Sequence, residues 1–205
     1  EPDPSNPFGS TIRKQKTFIN KDGEKELTAL NLVYDEIVAA GHAEPVVIPL
    51  DLKTATTAQF DELGAMIESE FGQLDGLLNN ASILGPRMPL QQIDDAKFAE
   101  VMQVNVQATF ALTRALLPLL QLSKDASIVF TSSGVGRKGR AYWGPYAVSK
   151  FATEGLMQVL ADELDETQVR ANSVNPGATR TSMRTAAYPG EHPEINPLPE
   201  AIMPV

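Results

Sequence analysis

The chain has 205 residues, of which 42% are hydrophobic and 21% charged, the balance of a single soluble globular domain long enough for a sizeable core. Its formal charge of −9 argues against nucleic acid as a partner, since such surfaces are rich in Lys and Arg, and no apolar run approaches a membrane span. The lack of cysteine excludes disulfides, Cys-ligated zinc and thiol catalysis and fits a cytoplasmic protein. His42 and His192 are the only imidazoles, too few to favour a His-based metal site or a Ser-His-Asp triad. No signal-peptide pattern opens the chain, and its start at Glu1 rather than Met suggests part of a longer polypeptide.

Residues 1–23 read as an irregular segment punctuated by Pro2, Pro4, Pro7 and Gly9, with a short strand at Lys16–Asn20. Lys25–Ala40 has helical spacing at Leu27, Leu30, Val33 or Tyr34, and Ile37, and Gly41 ends it. An apolar strand spans Pro45–Leu52. A helix over Thr54–Phe71 presents Phe60, Leu63, Met66 and Ile67, and a strand covers Leu74–Ala81. One long helix is predicted for Asp94–Leu122, with Phe98, Val101, Met102, Asn105 and Val106 on one face. The strand Ser127–Ser132, the helix Tyr146–Leu164 and the strand Val169–Val174 follow. Residues 186–205 form a Pro-rich segment. Helices alternating with strands that are apolar throughout predict an α/β fold, a mostly parallel sheet covered on both faces, across a core of residues 24–185.

Ser133, Tyr146 and Lys150, read with Asn105, form the sharpest constellation. Tyr146 and Lys150 are spaced to share one helix face. An ammonium near a phenol favours the phenolate, so the pair is expected to lower the Tyr146 pKa and let it exchange a proton with a carbonyl or alcohol oxygen. Ser133 follows an apolar strand, and open α/β sheets bind ligands at that end. A lone Tyr-x-x-x-Lys is common by chance, and a Ser at a strand end is usually a turn residue; the combination is far rarer.

The order of these pieces resembles the short-chain dehydrogenase/reductase family, classical type. Phrases such as FTSSGVGRKGRAYWGPYAVSKFATEGLMQVLADE and NPGATRTSMR are most similar to a bacterial subgroup, the YciK-like oxidoreductases. The resemblance runs from about Glu24 to Thr185. It implies a Rossmann-like three-layer fold and an NAD(P)-dependent enzyme that reduces a carbonyl or oxidises an alcohol by hydride transfer, with NADP slightly favoured over NAD. Asp51 and Leu52 match the adenine-contacting position, and Asn79, Asn80, Ala81 and Ser82 an Asn-Asn-Ala-Gly turn. Pro176 and Gly177, with Thr179 and Thr181, match the stretch beside the nicotinamide. The resemblance gives Tyr146 the role of general acid or base. Lys150 tunes it and holds the nicotinamide ribose, Ser133 holds the substrate oxygen, and Asn105 holds a water linking Lys150 to solvent. It also implies a homodimer or homotetramer through helices 94–122 and 145–165, although a buried intramolecular face explains the same apolar residues.

Three departures from that pattern stand out. Only Gly9 and Gly23 occur in the first forty residues, so the family's Gly-rich phosphate turn, with its first strand and helix, has no counterpart. In the order 3-2-1-4-5-6 that strand is central, and the strand ending at Asp51 lacks a route to pair with the one ending at Asn79. Residues 10–20, or another chain, would have to substitute. The family's last strand is missing at the other end, and Ser82 replaces Gly at a position where Gly serves a special backbone conformation. The rival to the enzyme is therefore a catalytically inactive Rossmann-like remnant acting as a binding or oligomerisation module.

Weaker signals have two readings each. Arg137, Lys138 and Arg140 form a solvated loop or greet an anion. Tyr142 and Trp143 are packing residues or wall a substrate pocket. His192 is a surface residue or part of a substrate lid, and Asp162, Glu163, Asp165 and Glu166 form a solvated helix end rather than a metal site.

Overall fold

Every short apolar run that pairs does so in parallel, because each is followed by a helix that carries the chain back. The computed structural model describes residues 17–19 and 24–202. Strand β1 (Thr17–Ile19) pairs with β2 (Val46–Ile48), and β3 (Gly76–Asn79), β4 (Ala126–Thr131) and β5 (Val169–Val174) form a second parallel sheet in that order. The helices are α1 (Glu24–Ala39), α2 (Thr57–Phe71), α3 (Asp95–Met102), α4 (Ala108–Gln121), α5 (Gly144–Glu163) and α6 (Ser182–Ala187).

The gap expected between the strands of Asp51 and Asn79 is real among the described residues: β2 pairs with β1 and not with β3. The segment β1 lies in does not bridge to β3; residues 10–16 and 20 lie outside the described residues. On the gap side Leu78 is 55% exposed, a large apolar side chain in the middle of a strand.

Three apolar clusters hold the elements. Ile128 and Phe130 of β4 pack with Leu160 and Leu164 at the end of α5 and with Val169 and Ala171 of β5. Leu63 and Ile67 of α2 meet Leu116 and Leu119 of α4, with Ile48 of β2 against them. Gly64 permits this approach, since a Cβ there would lie 3.0 Å from the Ala115 carbonyl oxygen. Leu52, Phe60, Val104 and Ala108 form the third cluster.

Several boundaries move for physical reasons. Helix α2 begins after Thr56 rather than at Thr54, because Thr56 and Gln59 form a reciprocal capping box. On α1, Tyr34 and Ile37 are half-buried while Val33 is exposed, so the helix face runs through Tyr34. The predicted helix 94–122 is helical throughout but not uniform: Gln103–Gln107 is a π-helical turn between α3 and α4. The segment after β5 gains α6, capped by the Thr181 side chain accepting from the Arg184 N–H, which proline content alone concealed.

Phe130 is fully buried and Leu78 is not. Phe130→Ala is expected to cost about 3–5 kcal/mol in urea denaturation, whereas Leu78→Gln costs under about 1 kcal/mol. Equal losses would mean that the clusters are misassigned.

Candidate active site

The site is built at the carboxyl end of β4. After Thr131 the chain passes through Ser132 and Ser133 into a single 3-10 turn, Gly134–Gly136. Ser133 is extended, and its hydroxyl accepts from the Val135 N–H at 3.5 Å. Gly136 then presses on α5: a Cβ there would meet the Lys150 carbonyl oxygen at 2.9 Å. Glycine is required for this contact, which sets the distance between the Ser133 turn and the helix.

Helix α5 starts beside Pro145, whose fixed φ and missing N–H suit a first turn. Tyr142 just before it takes a left-handed φ of 69°, rare for a bulky residue and a mark of strain near functional sites. Trp143 is left half-buried against Tyr146, ring centres 6.0 Å apart, and against Tyr188 at 5.9 Å. Tyr146 and Lys150 lie on the buried face, 8% and 4% exposed. The Lys150 Nζ donates to the Thr131 carbonyl at 2.6 Å and sits 5.6 Å from the Tyr146 ring centre.

Burial governs both titrations. It lowers Lys150 to about 8, so near neutral pH the amine is still largely an ammonium. It pushes the Tyr146 phenol up, with hydrogen bonds from Ser133 and Ser82 pulling the other way. The expected lowering of Tyr146 by Lys150 is therefore corrected: Lys150 spends its donor on Thr131, and desolvation of the phenolate dominates.

Asn105 lies in the π turn, and its side chain is fully engaged. Its Oδ1 accepts from the Ile83 N–H at 2.8 Å; its Nδ2 donates to the Ile83 carbonyl and to the Ser149 Oγ, both at 2.9 Å. Ser149 in turn donates to the Tyr146 carbonyl at 2.8 Å. The π turn is what lets a side chain midway along a helix reach both the loop after β3 and α5; such turns recur at functional sites.

The remaining expected positions divide. Asn80 Oδ1 accepts from the Thr131 hydroxyl at 2.9 Å, beside the Lys150 contact. Asn79 donates to Thr113 at 3.0 Å, tying β3 to α4. Ala81 packs with the cluster of Leu52 and Phe60. Asp51 accepts from the Lys53 N–H in its own turn, and the Leu52 carbonyl accepts from Gln103 at 3.3 Å, so both sit at the end of the β1–β2 sheet. Pro176 leads into Gly177, at a φ of 76°, and Thr181 caps α6. The Thr179 Oγ1 is buried without a partner among the described residues, an atom open to a water or a ligand group.

Ser82 has no left-handed backbone, so replacing Gly there strains nothing; its buried hydroxyl instead reaches Tyr146. Arg137, Lys138 and Arg140 are exposed, and Arg137 pairs with the buried Glu154 at 3.3 Å. Asp162, Glu163, Asp165, Glu166 and His192 are also exposed. No metal-binding cluster of acidic or imidazole groups occurs among the described residues, and no helix among them is long and apolar enough to cross a membrane. Ser149 and the Ile83 backbone escaped sequence reasoning, and Ser82 was read there only as a departure from Gly in its turn. Only the position of Ser149 between Tyr146 and Lys150 could have flagged it.

The family model for short chain dehydrogenases matches residues 19–192. The chain is 51% identical over 198 residues to the uncharacterized oxidoreductase YciK of Escherichia coli (strain K12), covering 97% of this chain and 75% of that protein. A short chain dehydrogenase from Salmonella enterica serovar Typhi superposes with a TM-score of 0.87 at 47% identity, over 92% of this chain and 76% of that one. A chain from Escherichia coli CFT073 solved in complex with NADPH superposes with a TM-score of 0.86, also at 47% identity, over 92% and 76%. The chain spans between 52% and 63% of the length of more distant curated relatives.

Lys150 provides a test of the site's electrostatics. The unfolded chain holds the amine proton up to about 10.5 and the folded chain only to about 8. Stability is therefore expected to rise as pH increases through that window, by about 1–3 kcal/mol. Lys150→Met should lack this rise. Parallel urea-denaturation curves of the two proteins at both ends of the window would refute the buried ammonium.

Proposed function

Because the chain belongs to the short-chain dehydrogenase family, we propose that it is an NADP(H)-dependent oxidoreductase that reduces a carbonyl group on a small molecule at Ser133, Tyr146 and Lys150. The observation that carries the reading is the joint placement of these groups. A neutral phenol stands beside a serine hydroxyl at a strand end, with a buried ammonium 5.6 Å from its ring.

The residues beside that end fit the nicotinamide half of the cofactor. Thr179 offers a buried hydroxyl with no partner among the described residues, Pro176, Gly177 and Thr181 shape the adjoining turn, and Lys150 and Tyr146 would hold the ribose. Asp51 and Leu52, with Asn79, Asn80 and Ala81, would line the remaining length. NADP is preferred over NAD because a 47% identical structure holds NADPH. The chemistry the cofactor supplies when bound is hydride transfer.

The chain's own residues supply the proton and the geometry. Ser133 donates a hydrogen bond to the substrate oxygen and orients it. Tyr146 donates its phenolic proton to that oxygen, and its raised pKa keeps the proton available at neutral pH. This favours reduction over oxidation there. Ser133 and Ser82 would stabilise the phenolate that forms, while Lys150 ties the Tyr146 helix to the Thr131 carbonyl. Asn105 acts through Ser149 by fixing the first turn of α5, and the phenolate left on Tyr146 would take a proton back from solvent to restore the phenol. Nothing in the geometry favours a purely binding role.

Assembly is proposed through α4 and α5. Phe110 on α4 and Val148, Phe151 and Val159 on α5 are exposed, and covering such side chains is what subunit association accomplishes. Light scattering should give a dimer or tetramer, and Phe151→Glu a smaller species; a monomer at every concentration would exclude this.

The deciding experiment is NADPH consumption with a panel of aldehydes and ketones. Tyr146→Phe, expected to fold normally, should lose reduction by at least about a hundredfold. Full retention of activity would rule out Tyr146 as the acid.

A further inference from the structure

Near Tyr146 lies a guanidinium whose buried Nε has no acceptor among the described residues. Arg87 follows the loop after β3, and its guanidinium carbon lies 4.4 Å from the centre of the Trp143 ring and 5.0 Å from that of Tyr188. Trp143 packs directly on Tyr146, so Arg87 is one aromatic ring removed from the proton donor. Its Nε is buried and has no hydrogen-bond partner. Among the described residues no carboxylate, carbonyl or hydroxyl accepts from it, although the chain carries 26 acidic side chains. Buried donors are rarely left in this state, because the desolvated group loses its water without compensation.

The neighbouring guanidinium shows what a structural arginine looks like here. Arg184 stacks on the same Tyr188 ring at 3.9 Å, yet it also donates to both oxygens of Glu191, at 2.6 and 2.5 Å. Asn196 completes that carboxylate with a further bond at 2.8 Å. Two arginines thus flank one tyrosine, one with a complete carboxylate fork and one with none. Contact with Trp143 and Tyr188 holds the Arg87 guanidinium in place without satisfying its Nε, and a guanidinium fork matches a carboxylate in two parallel hydrogen bonds.

We infer that Arg87 is the anchor for an acidic group on the substrate, so that the carbonyl compound reduced at Tyr146 also carries a carboxylate. The inference builds on the reading of Ser133 and Tyr146 as the carbonyl site. With the carbonyl at Tyr146, the acid reaches across the face of Trp143 to Arg87. This defines a specificity residue distinct from the exposed cluster of Arg137, Lys138 and Arg140, whose cations point to solvent or to Glu154.

Trp143 is the only tryptophan and touches Arg87, so binding is read without cofactor and without turnover. The full chain is titrated with 4-formylbenzoate and with its methyl ester, following Trp143 emission. The acid should saturate and bind on the order of tenfold tighter than the ester, and Arg87→Gln should erase that difference. Arg87→Lys, which keeps the charge but not the fork, should recover only part of it, and Arg140→Gln should change nothing. The Tyr146→Phe protein should still bind the acid tighter than the ester, because Arg87 is intact, which separates this result from a failure of the proposed proton donor. Equal response to acid and ester, no response to the acid in the folded parent chain, or unchanged acid affinity in Arg87→Gln would each overturn the assignment. Arg87 would then be a clamp on Tyr188 only.

Discussion

The contact on which the site depends is the one between the Lys150 ammonium and the Thr131 carbonyl. It joins the last residue of β4 to the buried face of α5 at 2.6 Å. A buried amine is costly to keep charged, and the strand-end carbonyl offsets part of that cost. The rest of the arrangement follows from holding α5 this close. Gly136 must lack a side chain because it rests on the Lys150 backbone. Ser133 is then fixed beside Tyr146 by a turn with no freedom to move outward.

The second constraint acts from the opposite side. The π turn at Gln103–Gln107 shifts the phase of a long helix so that Asn105 points inward and Gln103 reaches the Leu52 carbonyl. One irregularity therefore connects three places: the end of β2, the loop at Ile83 and the first turn of α5. This matters because β2 and β3 share no hydrogen bonds. The two sheets are joined through the helices, by Ile48 and Leu50 packing on α2 and α4 and by the Gln103 bond.

Much of this was legible in the sequence, for identifiable reasons. Strand β4 was found because its run is apolar and covered on both faces, whereas β5 falls within the expected bounds as an alternation of buried and exposed residues. Tyr146 and Lys150 were found because helical spacing fixes which side chains share a face. What escaped depends on tertiary contact. A π turn inserts one residue into a helix without changing its composition, so Asn105 looked like a face residue rather than a clamp. The sign of the Tyr146 shift depends on burial against charge, and the ammonium's distance and its Thr131 partner are invisible in one dimension. Residues 182–187 were hidden by the prolines around them, although Thr181 is a good capping residue. The role of Ser82 was misjudged because its backbone conformation was inferred from a residue preference.

In the proposed reduction, burial would set the direction of the chemistry as well as the stability. The same desolvation that lowers Lys150 raises Tyr146, so in the folded chain their usual order inverts and the two pKa values move apart. Below about 8 the stable pair is ammonium and phenol, a state that can give a proton but not accept one. A site held in that state is matched to protonating an alkoxide as it forms. Removing a proton from an alcohol would first require the phenol to ionise against its surroundings. The Ser133 and Ser82 hydroxyls oppose this by stabilising the phenolate, and they do so most when negative charge is developing on Tyr146. Their contribution therefore falls on the transition state rather than on the resting enzyme, where a neutral phenol needs less from them. In that sense the serine that replaces glycine at position 82 is not a defect in a turn but an added donor at the atom where charge appears.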